Sequence, residues 1–258
     1  MAKTILLKVG GAELAPGPDL ALLVNTICEF AGGNRLIVVH GGGPEIARLQ
    51  LRLGIEPRFI DGLRVTDEAS LEAAAMVLNG LVNKRLVGRL AYAGVKAIGL
   101  SGVDGALMTA RRMVQAGVDL GLVGEVTGVN TGLLGWILDA GYVPVVSPIS
   151  LGPDGSTLNV NADHAGLAIA SAMVVDEAVF LTNVPGVLDN NGVLVRALAK
   201  SSANAMISSG TISGGMLPKV YSALQALDCG IKRVMITNLA GLAAGSGTWV
   251  QKDSVEET

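Results

Sequence analysis

The stretch VVHGGGPEIARLQ, residues 38–50, decides how the rest of the chain is read. A β-branched run meets His40 and three consecutive glycines, Gly41, Gly42 and Gly43, and Pro44 then opens a helical pattern. Without Cβ atoms, glycine amides can approach a bound oxygen closely. Pro44 suits a first helical turn, where its missing N–H costs nothing and the remaining amides point outward beside the positive end of the helix dipole. The arrangement is an anion cradle between a strand and a helix. Taken alone, three glycines would serve a tight, flexible turn equally well.

Outward from this stretch the same strand-to-helix step recurs. Apolar runs bounded by Gly, Pro or Asn fall at 4–9, 35–40, 95–100, 142–149, 177–184 and 232–238, which read as strands. Helical patterns lie between most of them, at about 18–31, 44–54, 67–92, 131–140, 163–173, 201–208 and 216–229. Such alternation predicts an α/β fold, a three-layer αβα sandwich around a mainly parallel central sheet. Three patches break the rhythm and read as β-hairpin excursions: 107–130, the Pro-Asp-Gly turn within 151–160, and the Asn-Asn-Gly turn within 188–195. They are expected at the carboxyl edge of the sheet, where such folds bind ligands.

Composition agrees with this reading. Half of the 258 residues are apolar but only 3% are aromatic, so the core must be built from Ala, Val, Leu and Ile around 35 glycines. That mix suits parallel strands covered by helices. The length allows one large domain or two lobes sharing a sheet. A division falls near residue 175, giving lobes 1–175 and 176–258. A net charge of −3 and a pI near 5.4 give no electrostatic footprint for nucleic acid or an anionic membrane, which points to work on small molecules. Cys28 and Cys229 stand far apart in helical stretches and read as two reduced, buried thiols. The N-terminus makes a poor signal peptide, and no run approaches the roughly 20 apolar residues of a membrane span, so a cytoplasmic protein is expected.

Other polar residues gather at strand-to-helix corners. Lys8 ends a strand just before Gly10 and Gly11, and a lysine on a buried parallel strand is costly without an anionic partner. Gly214 and Gly215 precede a helix carrying Lys219 in its first turn, where a positive charge opposes the dipole unless an anion compensates. Asn159, Asn161 and Asp163 crowd a third corner, although Asp163 read by itself fits a helix cap. Arg64 stands before a capping sequence beginning at Thr66; its planar fork suits a carboxylate, while a surface arginine is the default. Competing motifs fail: the G-x-G-x-x-G frame from Gly41 ends on Ile46, no Gly-Lys dipeptide supplies a P-loop, and HGGG has no G-x-S-x-G elbow to accompany it. His40 and His164 lack metal-ligand spacing and read as structural.

Together, KVGG (8–11), HGGGPE (40–45), DGLRVTDE (61–68), NVNAD (159–163), TNVPGVL (182–188) and GGMLPKV (214–220) resemble the amino acid kinase superfamily. The resemblance runs in order along nearly the whole chain, and within the superfamily the motifs are similar to those of acetylglutamate kinases. It implies an amino acid kinase-like fold with an acceptor-binding, dimerising first lobe and an ATP-binding second lobe. It also implies phosphorylation of the N-acetylglutamate side-chain carboxylate, a step of arginine biosynthesis. Lys8 and Lys219 would stabilise the transferred phosphoryl group, with Asp163 holding both lysines. Gly42, Gly43, Arg64, Asn159 and Asn161 would serve the acceptor. Gly10, Gly11, Gly41, Asn183, Val184, Gly186, Val187, Leu188, Gly214, Gly215 and Met216 would serve the phosphoryl group and ATP. Mg²⁺ would be held mainly by the nucleotide phosphates, with no metal site made of side chains.

Departures leave two rivals open. Asn183 stands where many acetylglutamate kinases carry Asp, and with LVNKRLV (81–87) and IGLSGVDG (98–105) it also resembles kinases of carrier-linked aminoadipate or glutamate. A non-catalytic nucleotide- or amino-acid-binding regulator is the other rival, against which Lys8, Asp163 and Lys219 are all retained. Aspartate kinases fit less well, since Ala12 replaces their Thr or Ser. Because Lys8 lies almost at the start, where arginine-inhibited relatives carry an extra helix, the resemblance implies a plain homodimer insensitive to arginine.

Overall fold

The computed structural model describes residues 2–115 and 117–253. In chain order the elements are β1 (Thr4–Val9), α1 (Pro18–Ala31), β2 (Arg35–His40), α2 (Gly43–Arg52), β3 (Phe59–Ile60), β4 (Leu63–Arg64), α3 (Glu68–Ala75), a π-helical segment (Met76–Val82) and α4 (Asn83–Tyr92). There follow β5 (Ala97–Ser101), β6 (Met108–Arg112), β7 (Val123–Val129), α5 (Thr131–Asp139), β8 (Val143–Ser147), β9 (Ile149–Leu151), β10 (Thr157–Val160) and α6 (Ala162–Ala172). The remainder is β11 (Glu177–Leu181), β12 (Ala197–Ala199), α7 (Lys200–Ser208), α8 (Leu217–Asp228), β13 (Arg233–Thr237), α9 (Leu239–Ala243) and β14 (Thr248–Gln251).

The central sheet runs β12-β14-β13-β11-β1-β2-β8-β5, parallel throughout except where β14 returns antiparallel beside β13. Side chains of its inner strands alternate between two cores, as a period of two requires. Leu6, Ile37, Val39, Ala178 and Phe180 face one core with α5, α6 and α8; Ile5, Leu7, Leu36, Val38 and Val179 face the other with α1, α4 and α9. This is the expected three-layer sandwich. The division near 175 falls between α6 and β11, yet β11 pairs directly with β1 through Leu7↔Val179 and Lys8↔Phe180. The sheet is therefore continuous across it.

Several expected elements differ in detail. The helix read at 67–92 is interrupted by seven π-helical residues, a widening that apolar periodicity does not reveal. The strand read at 142–149 divides at Pro148, which lacks the N–H a ladder needs, into β8 and β9. The 107–130 excursion is β6 and β7, and the 151–160 excursion is β9 and β10; together these four strands close into a small ring of pairings. The turn at 188–195 gives a single bridge, Leu188 to Leu194. Asp67, whose carboxylate accepts from the Ser70 amide at 2.8 Å, caps α3 in place of Thr66. The two thiols are not both buried: Cys28 is half-buried, and Cys229, just past the last turn of α8, is exposed. Among the described residues no helix is long and apolar enough to cross a membrane.

Candidate active site

Lys8 sits at the carboxyl end of β1, with its side chain 11% exposed and its Nζ 2.8 Å from Asp163 Oδ1. The anionic partner that a buried lysine needs is thus supplied by the first turn of α6. Asp163 is free for that pairing because Asn161 caps the helix instead, accepting from the amides of Asp163 at 2.8 Å and His164 at 3.4 Å. The cap expected of Asp163 is therefore corrected to its neighbour. Gly166, one turn further along α6, lets the helix lie close over the Lys8 stem: a Cβ there would sit 3.5 Å from Lys8 Cβ.

A cavity of about 360 Å³ is lined by Lys8, Asn161, Asp163, Asn183 and Lys219, together with Phe180, Thr182 and Ser222. The two lysines, 211 positions apart in sequence, open into one space. Lys219 does not touch Asp163 here; its Nζ donates to the Gly215 carbonyl at 3.0 Å, within the glycine turn that precedes α8. A second hollow of about 170 Å³ is lined by Gly41, Gly42, Gly43, Arg64, Asn159, Asn161 and Asp163, with Val123 from the small ring of strands and Pro148 from the break between β8 and β9. Asn161 and Asp163 belong to both linings, so the two spaces adjoin.

Arg64 is held rigidly in the second hollow. Its guanidinium donates to Gln50 Oε1 and to the Gly43 carbonyl at 3.0 Å and stacks 4.6 Å above the Phe59 ring. Burial lowers its pKa, an arginine that remains charged nonetheless. Thr66 is the link between neighbours: it donates to the Arg64 carbonyl at 2.7 Å and accepts from Asn159 Nδ2 at 3.1 Å. Glu45, in the first turn of α2, forms a two-pronged pair with Arg85 at 2.6 and 3.0 Å, and Arg85 also donates to the Leu14 carbonyl. That pair ties the helix behind the triple glycine to the turn behind Gly10 and Gly11. Gly11 lies against the cradle itself, since a Cβ there would meet the Gly42 Cα and the Gly43 nitrogen at 2.9 Å.

The remaining sequence candidates lie outside both linings. Gly10 borders Glu13, and Gly186 turns with φ 143° against Thr248. Val187 is fully buried with its amide donated to Thr248 Oγ1, and Leu188 is exposed in the short bridge to Leu194. Val184 is fixed by Thr182 Oγ1, and Gly214 and Met216 form the turn into α8. Sequence reading missed Phe180, Thr182 and Ser222 as lining. The alternation of β11 and the helical spacing of Ser222 to Lys219 carried that signal. A larger hollow of about 610 Å³ opens at the opposite, amino edge, between the last turns of α1, α4 and α5. The converging lysines and helix entries lie at the carboxyl edge, where ligands of open α/β sheets bind.

Residues 3–238 match the model of the amino acid kinase family. An acetylglutamate kinase of Methanopyrus kandleri is 46% identical over 253 residues, 95% of this chain and 99% of that protein. An acetylglutamate kinase of Roseiflexus sp. is 48% identical over 239 residues, 93% of this chain and 90% of that protein. Among solved structures, an N-acetylglutamate synthase of Neisseria gonorrhoeae complexed with coenzyme A and N-acetyl-glutamate superposes with a TM-score of 0.84 at 27% identity, covering 98% of this chain and 60% of that one.

Proposed function

The chain belongs to the amino acid kinase family, and from its likeness to acetylglutamate kinases over nearly its whole length we infer that it acts as one. It transfers the γ-phosphoryl group of ATP to the side-chain carboxylate of N-acetyl-L-glutamate, giving the acyl phosphate and ADP in a step of arginine biosynthesis. The observation that carries the reading is the meeting of Lys8, Asp163 and Lys219 around one cavity that adjoins the arginine-lined hollow.

In this reading ATP occupies the larger cavity beside α8 and the acceptor the smaller hollow, its carboxylates toward Arg64 and the cradle amides. The acceptor carboxylate is already a nucleophile at neutral pH, so no general base is required. What opposes reaction is the approach of two anions. Phosphoryl transfer asks the protein mainly for alignment and charge stabilisation, which Lys8, Lys219 and the amides of Gly42 and Gly43 supply. As a carboxylate oxygen bonds to phosphorus, the bond to the ADP oxygen breaks. Asp163 keeps the Lys8 ammonium at the junction of the two spaces. Mg²⁺ would arrive on the nucleotide phosphates.

The first lobe, 1–175, then binds the acceptor and the second, 176–258, the nucleotide. A homodimer is favoured by the exposed apolar side chains of Leu51 and Leu53, at the end of α2, and of Met76 and Leu81 on the adjoining π-helical segment, 51% to 64% accessible. A cytoplasmic place follows from the need for ATP. The decisive assay supplies free N-acetylglutamate and Mg·ATP with no carrier protein. Turnover is expected; its absence, or turnover only on a carrier-linked amino acid, would refute the substrate assignment.

A further inference from the structure

His40 is fully buried at the end of β2 and lines neither cavity, yet it touches the cradle from behind. Its Nδ1 lies 3.0 Å from the Gly41 carbonyl oxygen and its Nε2 3.0 Å from Asn83 Nδ2. Asn83 fixes which nitrogen carries the proton. Its amide nitrogen also donates to the Val145 carbonyl at 2.9 Å, while its Oδ1 accepts from Lys84 Nζ at 3.1 Å. The edge turned to His40 is therefore a donor, so Nε2 accepts and Nδ1–H donates to Gly41. Burial, aided by the Lys84 charge and opposed by the Gly41 bond, lowers the imidazole pKa to about 4, which keeps the ring neutral.

A trans peptide unit points its C=O and N–H in opposite directions. A Gly41 carbonyl drawn back onto buried His40 turns the Gly42 N–H the other way, toward the hollow that Gly41, Gly42 and Gly43 line. That amide stands at the cap of α2 and has no intrahelical acceptor. We propose that His40 is a positioning residue whose Nδ1–H grips the Gly41 carbonyl and thereby aims the Gly42 amide at an oxygen of the transferring phosphoryl group. The inference rests on the kinase reading above and adds a residue to that site.

The surroundings are built for this grip. The π-helical segment places Asn79 against Ser147 Oγ at 2.5 Å and delivers Asn83 to His40, two inward amides at the carboxyl end of β8 and β2. Room for the Asn83 amide exists only because β5 carries glycine opposite it: a Cβ on Gly99 would stand 2.1 Å from Asn83 Oδ1. A histidine kept only to satisfy buried polar groups would need both of its bonds equally, whereas a positioning role depends on the Nδ1 bond, with Asn83 serving only to set the tautomer that makes Nδ1 the donor.

Two substitutions separate these cases. The amide nitrogen of Asn takes the place of Nδ1, and the amide of Gln takes the place of Nε2. His40→Asn is expected to keep kcat within about threefold, while His40→Gln, folded by circular dichroism, loses about 10- to 100-fold in kcat with little change in the KM for ATP. Equal kcat values for the two variants would overturn the role. So would a wild-type ring shown by ¹⁵N NMR to be protonated at Nε2, a readout that does not depend on either variant folding. A wild-type enzyme inert toward N-acetylglutamate would overturn the kinase reading and this role together, whereas active wild type with His40→Gln matching His40→Asn removes only the role.

Discussion

Lys8 and Lys219 present the same chemistry in unlike settings. Lys8 is buried and paired with Asp163, whereas Lys219 reaches back to the carbonyl of its own helix entry. In the proposed mechanism, removing either ammonium takes a charge from the place where phosphoryl charge develops. Lys8→Ala and Lys219→Ala are each expected to lower turnover by about 10²-fold or more with circular dichroism unchanged. Near-normal rates in either would take that residue out of the mechanism. His40 makes a separate prediction, about stability. Its ordinary pKa of 6.5 falls to about 4 on burial, so between those values the unfolded chain binds the proton that the native ring refuses. Unfolding free energy must then rise with pH across that window, level off above it, and be lost as pH falls toward the folded value. The full shift corresponds to about 3 kcal/mol. Urea midpoints from pH about 7 down to about 4.5 should fall accordingly in wild type and more shallowly in His40→Asn. Asp67, held below the usual carboxylate range by the Ser70 hydrogen bonds, titrates beneath this window.

Elements show why some of this arrangement could be read from residues and some could not. Strands β1, β2, β11 and β13 are buried on both faces, so apart from Lys8 in β1 the interiors of their apolar runs are continuous, and their limits fall within three residues of those expected. The two-residue strands β3 and β4 and the three-residue β12 are too short for any period to register, and β14 is bounded by no strong turn signal on its far side. Corner residues behaved likewise. The crowding of Asn159, Asn161 and Asp163 was legible, but which of them caps α6 depends on where Lys8 stands in space. The π-helical segment left no trace in the apolar pattern, and with it went the Asn83 contact to His40. Gly99 tests that contact from the strand side. Its Cβ would collide with Asn83 Oδ1 at 2.1 Å and approach Lys84 Nζ at 2.9 Å; the lysine can swing away, but the Asn83 amide is held on both sides. Gly99→Ala should cost about 1–3 kcal/mol in denaturant titration. It should also lower kcat in the folded enzyme, as His40→Gln does. A stable, fully active Gly99→Ala would show that Asn83 can shift without moving the cradle.

At the scale of the molecule, the two proposed lobes are joined more closely than the separate tasks proposed for them suggest. Both cores run across the boundary: one holds Leu6, Val39 and Ala165 beside Phe180, Val220 and Val234, and the other holds Leu7 and Ile27 beside Val179, Leu181 and Met235. Opening the β1–β11 seam would expose the middle of the sheet to water on both faces, so neither lobe retains a closed core when the other unfolds. Cooperative loss of the whole structure is the consequence. The chain carries one tryptophan in each lobe, Trp136 on α5 and Trp249 on β14, where Arg233 stacks 4.1 Å from its ring. Trp136→Phe and Trp249→Phe therefore leave a single fluorescent reporter in the second and first lobe respectively. Urea transitions of the two variants should coincide with each other and with far-ultraviolet circular dichroism, once each is corrected for its own shift in midpoint. Transitions separated between the probes within one variant would mean that the lobes unfold independently, and that the shared sheet is a hinge between two cores and not a common one.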